Sequence, residues 1–163
     1  MALELYRIDD RLIHGQVVVG WGQPLDLRFI VLVDDEVASS DWEQELYRMG
    51  VPADMDVYFD HVDDAVHNLE RYQQDSRSGL LLTGDIDTMT RLVDATGAIG
   101  NVNLGGIHHR QGRTQRLRYV FLTRDEEGQL RALAERGVSV SAQDVPAARP
   151  IPLAEMLDGE GPR

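Results

Sequence analysis

The most constraining feature of this sequence is its rhythm, in which short apolar runs alternate with longer amphipathic stretches across most of the 163 residues. Arg28-Phe29-Ile30-Val31-Leu32-Val33 is nearly continuous in its apolar character. Such a run fits a strand covered on both faces. Leu3–Ile8, Val57–Phe59, Gly79–Thr83, Asn101–Leu104, Tyr119–Leu122 and Val138–Val140 read as further strands. Helix signals stand between them. Ser40-Asp41-Trp42-Glu43 and Thr123-Arg124-Asp125-Glu126 have the spacing of a capping box. Asp60–Asp63 opens a third helix, with Val62, Val66, Leu69 and Tyr72 at helical spacing. Asp85-Ile86-Asp87 opens a fourth, with Met89, Leu92 and Val93 turned inward. Strands alternating with helices of about 10 to 15 residues specify βαβ units. The expectation is an α/β fold, an open and mostly parallel sheet of about seven strands with helices on both faces. It forms a single domain over residues 1–157, with a flexible C-terminal tail at 158–163.

Composition removes whole reaction classes. All 16 basic residues of the Lys+Arg total are arginine, so there is no Schiff-base lysine and no phosphate-loop or kinase lysine. With no cysteine, disulfides, thiolate nucleophiles and thiolate-bound metals are excluded. A formal charge of −12 argues against general nucleic-acid binding, which needs a basic surface. MALELYRIDD reads as neither a signal peptide nor a membrane span, and no long apolar run follows it.

Ligands of open α/β sheets bind where the strands end. The first strand ends in Asp9-Asp10-Arg11-Leu12-Ile13-His14-Gly15-Gln16, which packs two carboxylates, a guanidinium and an imidazole into one loop. If the next apolar run, Val17-Val18-Val19, begins a helix, the backbone N–H groups around Gly15 and Gln16 face any anion carried on His14. Arg11 adds a planar fork for phosphate oxygens. One of the two aspartates can hold the imidazole or orient Arg11. A neutral imidazole can attack phosphorus, so the chemical reading is a phosphoryl-accepting histidine. The same spacing equally fits a loop histidine bound to a carboxylate for structural reasons.

Other constellations carry less. The acidic pairs Asp9-Asp10 and Asp34-Asp35 at strand ends could hold Mg²⁺ for phosphoryl transfer to Asp34 or Asp35, as in a receiver domain, although such domains use a lysine and this chain has none. His108 and His109 are neighbours and diverge, and His61 and His67 do not share a helical face, so no metal site is expected. Arg110, Arg113, Arg116 and Arg118 form a basic stretch in an acidic chain, either a solvated edge or a docking patch for an acidic or phosphorylated partner. Gly105-Gly106 permits close approach of the backbone at the end of the fifth strand.

Arg7-Ile8-Asp9-Asp10-Arg11-Leu12-Ile13-His14-Gly15-Gln16-Val17 resembles the signature of the enzyme IIB component of the mannose/fructose/sorbose class of the bacterial sugar phosphotransferase system. Val31–Asp35, Asn101–Ile107, Arg110–Gln115 and Gly137–Pro146 continue the resemblance in collinear order. The resemblance implies that His14 accepts a phosphoryl group from a phosphohistidine of a separate IIA component. It then passes the group to a sugar bound by the membrane IIC–IID complex during uptake. Arg11 and Asp10 are the implied catalytic companions. Gly15, Gln16, Arg110 and Arg113 are the candidates for phosphate binding and docking. The resemblance implies no metal or organic cofactor, and a cytoplasmic protein held at the membrane by the permease, without inserting, that admits a homo-oligomer. A regulatory or interaction protein of the same fold, without a transport role, is the alternative.

Overall fold

The computed structural model describes residues 2–158, so the expected tail lies, apart from Asp158, outside the described residues. In chain order the elements are β1 (Leu3–Ile8), a π-helical segment (Gln16–Trp21), β2 (Phe29–Val33), α1 (Asp35–Ala38), α2 (Asp41–Met49), β3 (Asp56–Asp60) and α3 (Val62–Gln73). They continue as β4 (Gly79–Thr83), α4 (Ile86–Thr96), β5 (Asn101–Leu104), β6 (Thr114–Leu117), β7 (Val120–Leu122), α5 (Arg124–Glu135), β8 (Ser139–Ala142), β9 (Ile151–Pro152) and α6 (Leu153–Leu157). The main sheet has the order β3-β2-β4-β1-β5-β8-β9, and β6 and β7 form a separate two-stranded ribbon. Every pairing in the main sheet is parallel except that of β9 with β8.

The pleat divides the strand side chains between two cores. Phe29, Val31, Val33 and Leu81 pack with α3, α4, α5 and α6, through residues such as Leu69, Met89, Leu130 and Met156. Ile30, Leu32, Leu80 and Leu82 point the other way, onto Val17, Val18 and Trp21 of the π-helical segment and Val37 of α1. Successive strand residues face opposite sides, so an unbroken apolar run feeds both layers at once. Helices therefore cover both faces, as the runs require.

Local signals set most boundaries. Ser40, Asp85 and Thr123 cap α2, α4 and α5 by accepting the N–H groups of Glu43, Thr88 and Glu126. The reciprocal bond of a full capping box is present at Thr123–Glu126. Met89, Leu92 and Val93 are buried, as the spacing requires. Two expectations differ. Tyr119–Leu122 contributes not a sheet strand but β7, paired antiparallel with the polar β6, and the sheet's seventh strand is the two-residue β9. The helix expected after Gly15 is a six-residue π-helical segment, closed by the Gly22 N–H on the Val17 carbonyl at 3.0 Å.

Candidate active site

Around β1 the winding of the sheet reverses: the chain leaves β1 toward β2, and leaves β4 toward β5 on the other side of β1. Such a reversal opens a crevice beyond the carboxyl ends of the strands. The loop after β1 is pinned into it from three neighbours. Asp9 N–H donates to the Thr83 carbonyl at 2.9 Å, Gly105 N–H to Ile8 at 2.7 Å, and Asp10 N–H to Gly106 at 2.9 Å. Leu12 N–H then turns back onto the Asp9 carbonyl at 3.0 Å, with Leu12 itself in the left-handed region at φ 59°. A branched residue there stores about 1–2 kcal/mol of strain, and the surrounding bonds hold it.

Asp9 is the centre of the loop. Its carboxylate is fully buried and accepts Arg11 Nε and Nη2 at 3.1 Å each, Arg11 N–H at 3.2 Å and Arg7 Nη2 at 3.4 Å. Burial alone would raise the Asp9 pKa. The hydrogen bonds from Arg11 and the charges of Arg7 and Arg11 outweigh burial and hold it below the ordinary carboxylate range. Those same bonds to Asp9 raise the Arg11 pKa. Arg7 is itself wholly enclosed: it stacks 4.8 Å over the Trp21 ring and donates to Asn103 Oδ1 and to the Gln143 and Asp144 carbonyls. This buried cation joins the ends of β1, β5 and β8.

His14 sits at the rim. Its Nδ1 lies 2.7 Å from the Leu12 carbonyl, and a carbonyl can only accept, so Nδ1 carries the proton in this arrangement. Nε2 is buried without a hydrogen-bond partner among the described residues, 3.9 Å from Asp9 Oδ2. Gly15 leads into the π-helical segment with open space beside its Cα. Gln16 donates to the carbonyl and the Oδ1 of Asp144 at 3.1 and 3.0 Å.

The remaining candidates are spread more widely. Asp10 bonds to His108 instead: it accepts His108 N–H at 2.7 Å and faces His108 Nδ1 at 2.5 Å. His109 instead meets the Phe121 ring edge-on. Arg113 is bound at both ends of its fork to Glu126, and Arg116 pairs with Glu127, so neither is a free docking cation. Arg110 is exposed, without an ion pair among the described residues, and lines a crevice of about 460 Å³ with Asp10, Asp34 and Asp35. Arg118 shares a smaller cavity of about 210 Å³ with Arg11. Asp34 caps α1 through the Val37 N–H, and Asp35 accepts the Val62 N–H at the start of α3. That backbone bond is the main cause of the lowered Asp35 pKa. The two aspartates of the receiver reading thus serve as helix caps.

Arg7, Asn103, Gln143 and Asp144 escaped sequence reasoning. The signal for Arg7 was a charged residue inside an apolar strand, which is seldom fully buried unless paired.

Residues 3–162 match the family described as the PTS system sorbose subfamily IIB component. The chain belongs to that family. This IIB component is 32% identical to the N-acetylgalactosamine-specific phosphotransferase enzyme IIB component 1 of Escherichia coli K12, over 87% of this chain and 90% of that one. It is 33% identical to the mannose-specific EIIAB component of the same organism over 89% of its own length, which spans 45% of that longer protein. Among solved structures, the IIBSor domain of the sorbose permease from Klebsiella pneumoniae superimposes with a TM-score of 0.86 at 26% identity, over 97% of each chain. The parallel sheet with its loop after β1 is therefore the fold of a sugar phosphotransferase component. Among the described residues no helix is long and apolar enough to cross a membrane.

Proposed function

We propose that His14 is the residue of this IIB component that carries the phosphoryl group. The supporting observation is the seating of Arg11: a fully buried Asp9 holds it by two 3.1 Å bonds, and Asp9 Oδ2 lies 3.9 Å from His14 Nε2. Two guanidiniums, Arg7 and Arg11, share that one carboxylate, and part of the Arg11 fork is left to meet an arriving phosphoryl dianion. The donor is a phosphohistidine of a IIA component, and the EIIAB relative supports this choice. The nitrogen lone pair of His14 attacks phosphorus, the N–P bond to the donor breaks, and the proton displaced from His14 ends on the donor imidazole. In the second step a hydroxyl oxygen of a sugar held by membrane IIC and IID subunits attacks the same phosphorus. The N–P bond to His14 breaks, and the hydroxyl proton restores its neutral ring. Both steps need positioning and charge stabilisation more than covalent help from the protein.

Nδ1 is bound to Leu12 and Nε2 is buried, so the ring must turn out of this position before either nitrogen meets a partner. Catalytic geometry of this kind commonly tightens only in the complex. The π-helical segment has six residues, too few for a full macrodipole, which leaves the cationic role to the arginines. Residues 1–157 act as one unit in this reading. It works in the cytoplasm and meets the membrane through the permease.

The test is incubation with a phosphorylated IIA component followed by intact-mass analysis. An acid-labile addition of one phosphoryl group is expected on the wild type and none on His14→Ala. Label persisting on His14→Ala would move the site elsewhere.

A further inference from the structure

The cavity of about 210 Å³ beside the loop is bordered by Arg11, Gln16, His108, Arg118 and Asp144. It brings together two guanidiniums that lie far apart in sequence. Arg11 has its Nε and one Nη2 bond committed to Asp9, so part of its fork remains for a ligand. A phosphoryl group offers three terminal oxygens and about two negative charges, more than the remainder of one fork satisfies.

Arg118 is the group placed to supply the rest. It sits in the turn between β6 and β7, its side chain is 79% exposed, and among the described residues its head makes one hydrogen bond, 3.0 Å to Asp144 Oδ2, and lies 5.9 Å from the centre of the Tyr119 ring. Asp144 is anchored far more firmly. Its other oxygen and its carbonyl take Gln16 Nε2, and the carbonyl also takes the buried Arg7. Gln16 stands two residues after His14, so the carboxylate that parks Arg118 is fastened to the histidine loop itself. An exposed ion pair of this kind contributes about 0–1 kcal/mol, and a phosphoryl dianion outcompetes one carboxylate for a guanidinium.

We propose that Arg118 is a second phosphoryl-clamping residue, parked on Asp144 while His14 is free and transferred to the phosphoryl oxygens when His14 is modified. This rests on the reading of His14 as the acceptor. The covalent steps are those already described; Arg118 adds donors to the transferring group and forms no bond of its own.

The test compares wild type, Arg118→Ala and Arg118→Lys with two donors, a phosphorylated IIA component and phosphoramidate, by single-turnover labelling of His14. Arg118→Ala is expected to slow labelling from both donors by about tenfold or more, the scale of losing one electrostatic donor. Arg118→Lys is expected to recover only part of that loss, because an ammonium lacks the fork. Equal rates for wild type and Arg118→Ala would overturn the proposal. Slowing seen with the IIA protein alone would also overturn it, by making Arg118 a docking contact. Wild type carrying no label on His14 would instead remove the underlying reading. A thermal melt of Arg118→Ala is expected to match wild type, which separates a clamp from a structural role.

Discussion

Asp9 and Arg11 are joined by two parallel hydrogen bonds of 3.1 Å, with the carboxylate fully buried and the Arg11 side chain 35% exposed. The charged fork thus reaches solvent from a rigid, dry base. Neutralising that base leaves Arg7 enclosed and unbalanced. Asp9→Asn is expected to destabilise the fold by about 3–5 kcal/mol, the cost of removing one partner of a buried pair, read from denaturant unfolding. A change within error of zero would show that Arg7 does not need its counter-charge.

The same pair fixes a pH dependence. The Asp9 pKa is depressed in the folded state, because the arginine bonds and charges outweigh the opposing effect of burial. A depressed carboxylate stabilises the fold fully above its unfolded value, near pH 4, and the contribution is lost as pH falls through the folded value. Glu126, whose pKa the Arg113 and Thr123 bonds depress against burial, works in the same direction. Wild type is therefore expected to lose stability below about pH 4 more steeply than Asp9→Asn. Parallel acid limbs for the two proteins would contradict it.

Gly105 is required for space. A Cβ there would lie 2.3 Å from Arg7 Nη2 and 2.7 Å from Asp9 Oδ2, whereas one at Gly106 would meet Arg11 at 3.3 Å. Gly105→Ala is expected to cost about 1–3 kcal/mol by overpacking and to lower the initial rate of phosphoryl uptake by displacing Asp9. Gly106→Ala should do less on both counts. Thermal melts with labelling rates decide the order.

Two arginines of the basic stretch should behave oppositely. Arg113 is 8% exposed and holds Glu126, itself the reciprocal half of the α5 capping box. Arg113→Ala is expected to lower stability by about 1–3 kcal/mol, as a partly buried carboxylate is left with the Thr123 N–H but without its cation. Arg110 is exposed, and its removal should leave stability within about 0.5 kcal/mol. If Arg110 serves docking, Arg110→Ala raises the half-saturating concentration of phosphorylated IIA, and added salt narrows the difference from wild type. Calorimetry and transfer kinetics over a salt series separate the two.

Much of this arrangement was legible before folding. The apolar runs located β1, β2, β3, β4, β5 and β8, and the side chains of Ser40, Asp85 and Thr123 marked three helix starts. These signals act over a few residues, by pleat alternation or by a side chain closing on its own helix. The ribbon was not legible in the same way. Thr114–Leu117 is polar, and its partner Val120–Leu122 reads like any sheet strand until Ile107 bonds it on both sides, through Tyr119 and Phe121. The exposed Trp42, Leu46 and Met49 of α2 likewise show that a helical apolar spacing does not guarantee burial.

The sequence by itself determined the layered α/β architecture, the absence of lysine and cysteine chemistry, and the concentration of charge around His14, because each is written in residue type and short spacing. Tertiary structure alone decided which of two adjacent aspartates is central. Asp10 turns to His108, 98 residues away, while Asp9 is enclosed with Arg7, whose other partners lie 96, 136 and 137 residues on. Adjacent residues of the same type present the same local pattern. Only the ends of β5 and β8, brought beside β1 by the sheet, enclose one of those carboxylates between two arginines and leave the other part-buried against His108.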